Sequence, residues 1–280
     1  MIDFRREVAR RWPAAKHERR ALVLDCPELR AITTMPPPYR RITVSWGEMM
    51  AAVPHEPPSS VAIIQAVEGG VPEPRVRDLV AAAGLVPVVP VVPLEGPNAA
   101  ALATLFDWGV ADTADARFEL RPAALAHRLN TVHAMRFKLR LEPHLSRFVS
   151  MEALTLIRAA AGVVVDRGAA PDLAGCFEVG ERTVAGWCAR ASIPPPRRLF
   201  AWLRLLLSLA LLDTPGRTLT DAARCAGYRD HSLRRSAREL LGVTTRLAGG
   251  MFADAATAFN GELRELRERA RDVRRGKRAE

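Results

Sequence analysis

Residues 221–242 read DAARCAGYRDHSLRRSARELLG. A helix-turn-helix is a compact pair of helices. It needs a small residue where the helices approach, a residue tolerant of positive φ in the turn, and spaced apolar residues in the second helix. Ala223 is expected to supply the small contact and Gly227, four positions on, the turn, with Tyr228 as a buried plug beside it. Asp230 has the chemistry of an N-cap. Leu233, Ala237, Leu240 and Leu241 recur at helical spacing, and Gly242 ends the pattern as a C′ glycine does. The outward residues of the second helix are then His231, Ser232, Arg234, Arg235 and Arg238, with Arg229 just before it. Positions 231 and 235, and 234 and 238, are four apart and stack in adjacent rows. Such a face suits a major groove, where arginine grips guanine edges or neutralises phosphates. His231 and Ser232 sit near the positive end of the helix, where a phosphate or a base is bonded. The alternative is a solvated basic face on an all-α domain.

Working outward, LTDAARCAGYRDHSLRRSARELLGVTTRL (219–247) resembles the second helix-turn-helix of the AraC/XylS family of bacterial transcription regulators. The family pattern places an Ala four before a Gly, then an aromatic, an Asp and a helix ending in a Gly-Val-Thr-like run; here these are Ala223, Gly227, Tyr228, Asp230 and Gly242-Val243-Thr244. Upstream, VGERTVAGWCARASIPPPRRLFAWLRLLLSLALLD (179–213) resembles the family's first recognition helix and the long helix that joins its two motifs. The resemblance covers 150–247 and implies an all-α domain whose two recognition helices enter successive major grooves of duplex DNA. It implies Arg182 and Arg190 as contacts from the first motif. The chain departs from the pattern at four points. The second recognition helix is one residue short between Ser232 and Leu233, Thr245 replaces a usual Pro, Gly180 a capping Ser, and Gly186 an Arg. Glycine inside a helix costs about 1 kcal/mol relative to alanine, so the second helix is expected to do most of the DNA work.

The first half has a different pattern. ALVLDC (21–26), RRITVSW (40–46), VAIIQAV (61–67) and VPVVPVVPL (86–94) read as strands, and WGEMMAAV (46–53), EPRVRDLVAAAGL (73–85) and NAAALATLFDWGV (98–110) as helices. Alternation of this kind indicates an α/β domain with a mainly parallel sheet, here a degenerate receiver- or flavodoxin-like domain. Pro87, Pro90 and Pro93 predict an edge or a strand exit in the fourth run. A phosphorylated receiver needs an Asp at the end of its central strand and further acids at the first strand to hold Mg²⁺. The central run ends in Gln65-Ala66, Asp25 stands without an adjacent acid, and no lysine occurs between 17 and 137. Aspartyl phosphorylation is therefore not expected, and the domain is assigned to dimerisation or sensing. Gly69-Gly70 is a weak phosphate-loop signal.

The expected layout is a basic leader over 1–20, the α/β domain over 21–118, a connecting helix over 119–149, the DNA-binding domain over 150–250 and a charged helical tail over 251–280. The formal charge of +10 and pI near 10.5 favour an anionic partner. Thirty-eight of the 41 cations are arginine, so location tells more than the total; from 146 onward there are 23 Arg and Lys against 15 Asp and Glu, a net +8. Cys26, Cys176, Cys188 and Cys225 form no C-x-x-C and the six His are scattered, so zinc ribbons and disulfide frameworks are not expected. No nucleophile elbow, metal motif or paired carboxylates stand out, so neither enzyme activity nor a cofactor is expected. The first 20 residues carry charges and no apolar core, and LFAWLRLLLSLALLD (199–213) contains Arg204 and is too short to span a bilayer. A cytoplasmic protein without membrane contact follows as the expectation. Double-stranded DNA is the expected partner, with a homodimer and RNA polymerase as further candidates. Two rival readings stand beside it: an interaction module whose helix-turn-helix has lost specific DNA binding, and a regulator responding to a small molecule.

Overall fold

A computed structural model describes residues 18–93, 98–110, 112–145, 149–228, 232–242, 247 and 249–279. Most of the leader, the candidate contacts Arg229 and His231, the cap Asp230, and Val243–Thr245 lie outside the described residues. The chain forms two compact units. Among the described residues, one holds 18–136 together with Asp213–Arg217; the other holds Phe137–Leu212 and Thr218 onward.

The first unit is built on a parallel sheet. Its strands are β1 (Arg19–Leu24), β2 (Tyr39–Val44), β3 (Val61–Gln65), β6 (Val88–Val92) and β7 (Ala114–Asp115), in the order β2-β1-β3-β6-β7. Ala21–Leu24 and Val61–Ile64 are buried without interruption, as strands covered on both faces require. The crossovers carry α1 (Trp46–Ala52), α2 (Arg75–Ala82) and α3 (Asn98–Asp107), and α4 (Pro122–Val132) follows β7. Only a 3-10 turn, Pro27–Ala31, lies between β1 and β2. α1 starts with a capping box: the Ser45 hydroxyl accepts from the Glu48 N–H, and the Ser45 N–H donates to the Glu48 carboxylate at 2.8 Å. That backbone bond, with the Ser45 hydroxyl, holds the Glu48 carboxyl below the usual range.

Three expectations change here. The proline-bearing strand β6 is interior to the sheet; β7 pairs with it only at Val91 and Val92, past Pro90, so that pairing asks no donor of the proline. Gly69 and Gly70 form no phosphate loop. They have φ of 57° and 84° and close the two-residue hairpin between β4 (Val67–Glu68) and β5 (Val71–Pro72). The connecting helix is two helices, α4 and α5 (Met135–Leu141), parted where Ala134 takes φ of 57°.

The second unit is helical: α6 (Met151–Val165), α7 (Ala170–Cys176), α8 (Glu181–Arg190), α9 (Pro196–Leu212), α10 (Leu219–Cys225), α11 (Ser232–Leu241) and α12 (Phe252–Ala279). α9 is the central element, in contact with each of the other six. It buries Leu199, Phe200, Trp202 and the run Leu205–Leu211. Each large apolar side chain removed from water contributes roughly 1.5–3 kcal/mol, so this helix is the main source of cohesion in the unit. The charged tail is not merely a solvated helix: α12 begins at Phe252 and buries Phe252, Ala255, Ala256, Phe259 and Leu263. Glu262 fastens it to α9, accepting from Arg198 at 2.5 and 2.9 Å and from the Trp202 indole N–H at 2.7 Å. Among the described residues, no helix is long and apolar enough to cross a membrane.

Candidate nucleic-acid interface

α7–α8 and α10–α11 are two copies of one design, 49 residues apart. Both first helices run seven residues. Asp172 and Asp221 occupy the same position in the first turn. The Asp172 carboxylate accepts from the Ala169 N–H at 2.7 Å, and Asp221 donates its N–H to the Thr218 hydroxyl at 3.1 Å. Both helices end in a Schellman turn. In the first, Val179 N–H donates to the Ala174 carbonyl and Glu178 N–H to that of Gly175; in the second, Tyr228 donates to Ala223 and Gly227 to Arg224. Gly227 has φ of 76°, as expected of the turn glycine, whereas Glu178 holds the matching left-handed position at 53° without being glycine.

The expected small contact is displaced by one residue. Ala222 and Ala226 are fully buried and Ala223 only half-buried; the helix turns Ala222 inward, and the Ala223 carbonyl serves the turn instead. Tyr228 is half-buried, its hydroxyl 3.3 Å from the Ala201 carbonyl of α9, and burial pushes its phenol up. Arg204 of α9 donates to the Gly168 carbonyl at 2.8 Å in the turn between α6 and α7. The Gly227 turn lies against Arg167 of that same α6–α7 turn. α9 thus holds the α10–α11 bend and the α6–α7 turn from neighbouring turns of its own surface.

The second helices bury one face and present the other. In α11, Leu233 and Ala237 are buried, Ser232, Ser236, Leu240 and Leu241 half-buried, and Arg234, Arg235 and Arg238 exposed. Gly242, with φ of 67°, donates to the Arg238 carbonyl at 3.0 Å and ends the helix in an αL cap. The basic face also contains an acid: Glu239 pairs with Arg235 at 3.1 Å, both largely exposed. In α8, Val184 and Cys188 are buried while Arg182 and Arg190 are exposed near opposite ends. Trp187 packs edge-on against Phe177 at 5.4 Å, closing the first pair much as Tyr228 closes the second. The structure therefore brings Arg234, Arg235 and Arg238 together on one surface with Ser232 at its start, and separates Arg182 from Arg190.

The sequence pattern led to two expected motifs but did not place α7, the helix that opens the first. Its signal is short: Asp172-Leu-Ala-Gly-Cys176 against Asp221-Ala-Ala-Arg-Cys225, an Asp, Ala and Cys at equal spacing. Both thiols of the first pair are disfavoured as thiolates; burial pushes Cys176 up to about 12 and Cys188 up to about 11. No group of three or more His, Cys, Asp or Glu side chains placed to hold a metal occurs among the described residues.

In the α/β unit, the carboxyl ends of β1 and β3 lead to Asp25 and Gln65. Asp25 pairs with Arg30 at 3.6 Å, and Gln65 is half-buried. Arg75 lies over the Trp46 ring at 4.7 Å and is gripped by both oxygens of Glu73. Comparison of the chain with protein-family models, curated proteins and solved structures returns no match.

Proposed function

We propose that the chain is a sequence-specific double-stranded DNA-binding transcription regulator, its helical unit a double helix-turn-helix domain of AraC/XylS type. One observation carries the reading. Two helix pairs with an Asp at the same first-turn position and a Schellman turn at the bend flank the central helix α9, and each second helix buries one face and exposes arginines on the other. Repetition of the frame argues for two copies of one recognition device, as the major groove demands of a helix that must be held at a set angle. The three exposed arginines of α11 give it the denser cationic face, and α11 is read as the principal reader with α8 supporting.

The sheet order, second strand outside the first and the rest on the other side, is that of flavodoxin- and receiver-like domains. Gln65 at the end of β3 provides no phosphorylatable carboxylate, so the unit is read as a dimerisation or sensing module that works without aspartyl phosphorylation. The role is binding rather than catalysis.

The test is selection of bound duplexes from a random pool, then anisotropy titrations of an enriched duplex over a range of salt. A site-specific binder enriches a motif and loses affinity steeply with salt, with slope about −0.9 per phosphate neutralised. Failure to enrich any sequence removes the proposal.

A further inference from the structure

A cleft of about 440 Å³ opens in the helical unit between the end of α8, the start of α6 and the middle of α12. Its floor is apolar, formed by Ala153, Ile193 and Leu263, all buried. Its walls are cationic. Arg190 stands on the α8 side, and Arg264, Arg267 and Arg271 stand on the α12 side, at the spacing that places them along one helical stripe. Glu152 and Glu268 also border it, so the side chains around the cleft sum to +2. The first turn of the fifteen-residue helix α6, capped by Ser150, borders it as well and adds a positive dipole end.

Arg264 and Arg271 contrast with Arg269 on the same helix. Arg269 pairs with Glu265 one turn away, whereas among the described residues no carboxylate pairs with Arg190, Arg264 or Arg271. Arg190 on one wall and Arg264 and Arg271 on the other line the same concavity. Like charges so placed repel, and a low-dielectric wall focuses their field into the cleft. The repulsion is relieved by an anion that several guanidinium groups grip at once.

We propose that this cleft binds a small organic phosphate of about mononucleotide size, its phosphates held by the arginine walls and its apolar body on the floor. Volume argues for a free ligand over a duplex backbone, since a cavity of this size is in the range that holds small molecules. The inference does not depend on DNA recognition by α11, since the cleft is lined from other elements.

The test is isothermal titration of the full chain with ATP and with pyrophosphate, without metal and at constant ionic strength. Two cleft variants are compared with wild type: Arg264→Ala/Arg271→Ala from one wall and Arg190→Ala from the other. All three side chains are exposed, and thermal unfolding checks that each variant folds. The expected result is one ATP per chain, pyrophosphate weaker because it leaves the floor empty, and at least about tenfold weaker binding for each arginine removed. Arg235→Ala, on α11, leaves ATP binding unchanged. Absence of binding by either probe up to about 10 mM overturns the proposal. So does ATP binding that both cleft variants retain, or an anion response confined to a duplex fragment.

Discussion

The Glu262 carboxylate is the fastening of α12 to the domain, and its removal has a calculable cost. Glu262→Ala takes the acceptor from the Trp202 indole N–H and from the Arg198 guanidinium. Trp202 is only 2% exposed, so its N–H is left buried without a partner, at about 1–3 kcal/mol. Arg198 is half-exposed and returns to water, so that pair contributes about 0–1 kcal/mol. Alanine regains at most a few tenths of a kcal/mol as the better helix former. The net loss is about 2 kcal/mol, roughly a thirtyfold shift toward the unfolded state. Glu262→Gln keeps a carbonyl for the indole and loses only the charge pair, so its cost stays below about 1 kcal/mol. Urea unfolding followed by tryptophan fluorescence measures both. Equal losses in the two variants, or an alanine variant within about 0.5 kcal/mol of wild type, refute the assignment of the bond to Trp202 as the dominant contact.

Gly227→Ala forces an L residue to φ of 76° and destabilises by about 1 kcal/mol, lowering the melting temperature by about 2–4 °C. The added Cβ meets only an ordinary contact at 3.5 Å from Arg167, so a much larger loss points to a clash instead. Lys138 is held down to about 8, first by burial and then by the charge of Arg158. Its folded state disfavours the proton, so between pH 8 and 10.5 the unfolded chain binds more protons and stability rises with pH, while below 8 the deficit is constant. Lys138→Met flattens that rise, as denaturation at a series of pH values measures. On selected duplex, Arg235→Ala weakens binding more than Arg182→Ala and lowers the salt slope by about 1. Glu239→Gln tightens binding about two- to tenfold by removing the one acid paired on the α11 face, and unchanged affinity there dismisses α11 as the reader.

Much of the fold is readable because burial leaves long marks. VAIIQ and ALVL are apolar without alternation, and only strands covered on both faces look like that. β7 left no mark: two residues, Ala114 and Asp115, carry neither period nor propensity. The break at Ala134 and the bend at Glu178 were equally silent, since neither position holds the glycine or proline that announces a left-handed residue. Gly69-Gly70 carried only a weak phosphate-loop signal, and the strand pairing on either side makes it a hairpin turn instead. At the candidate interface, apolar spacing placed the buried and exposed faces of α11 correctly at Leu233, Ala237 and the three arginines. It did not separate Ala222 from Ala223, because adjacent alanines are interchangeable until a helix has a defined rotation about its axis. Nor did spacing reveal how firmly α12 is held, since its charged residues hide a stripe of Phe252, Ala256, Phe259 and Leu263 at three- and four-residue steps.

The two helix pairs keep some features in common and vary others. What is common is the backbone device: an Asp near the start, an alanine carbonyl that accepts from the residue five positions on, and a left-handed residue between them. These set the angle at which the second helix leaves the bend, and an error there misplaces every outward side chain at once. What differs is local and inexpensive to change. Glu178 bears the left-handed strain that Gly227 avoids, and Thr218 caps with its hydroxyl where Ala169 has only an N–H to offer. The outward faces differ most. α8 spaces Arg182 and Arg190 eight residues apart with Ala185, Gly186 and Ala189 between, whereas α11 gathers three arginines and a glutamate within two turns. On the proposed DNA-binding reading, such a frame with faces divergent in charge suits two unlike half-sites. The same pair of backbone bonds also ends α6 at Arg167 and α8 at Ser192, so the turn is a general helix stop in this unit and the distinction between the pairs lies in their outward faces.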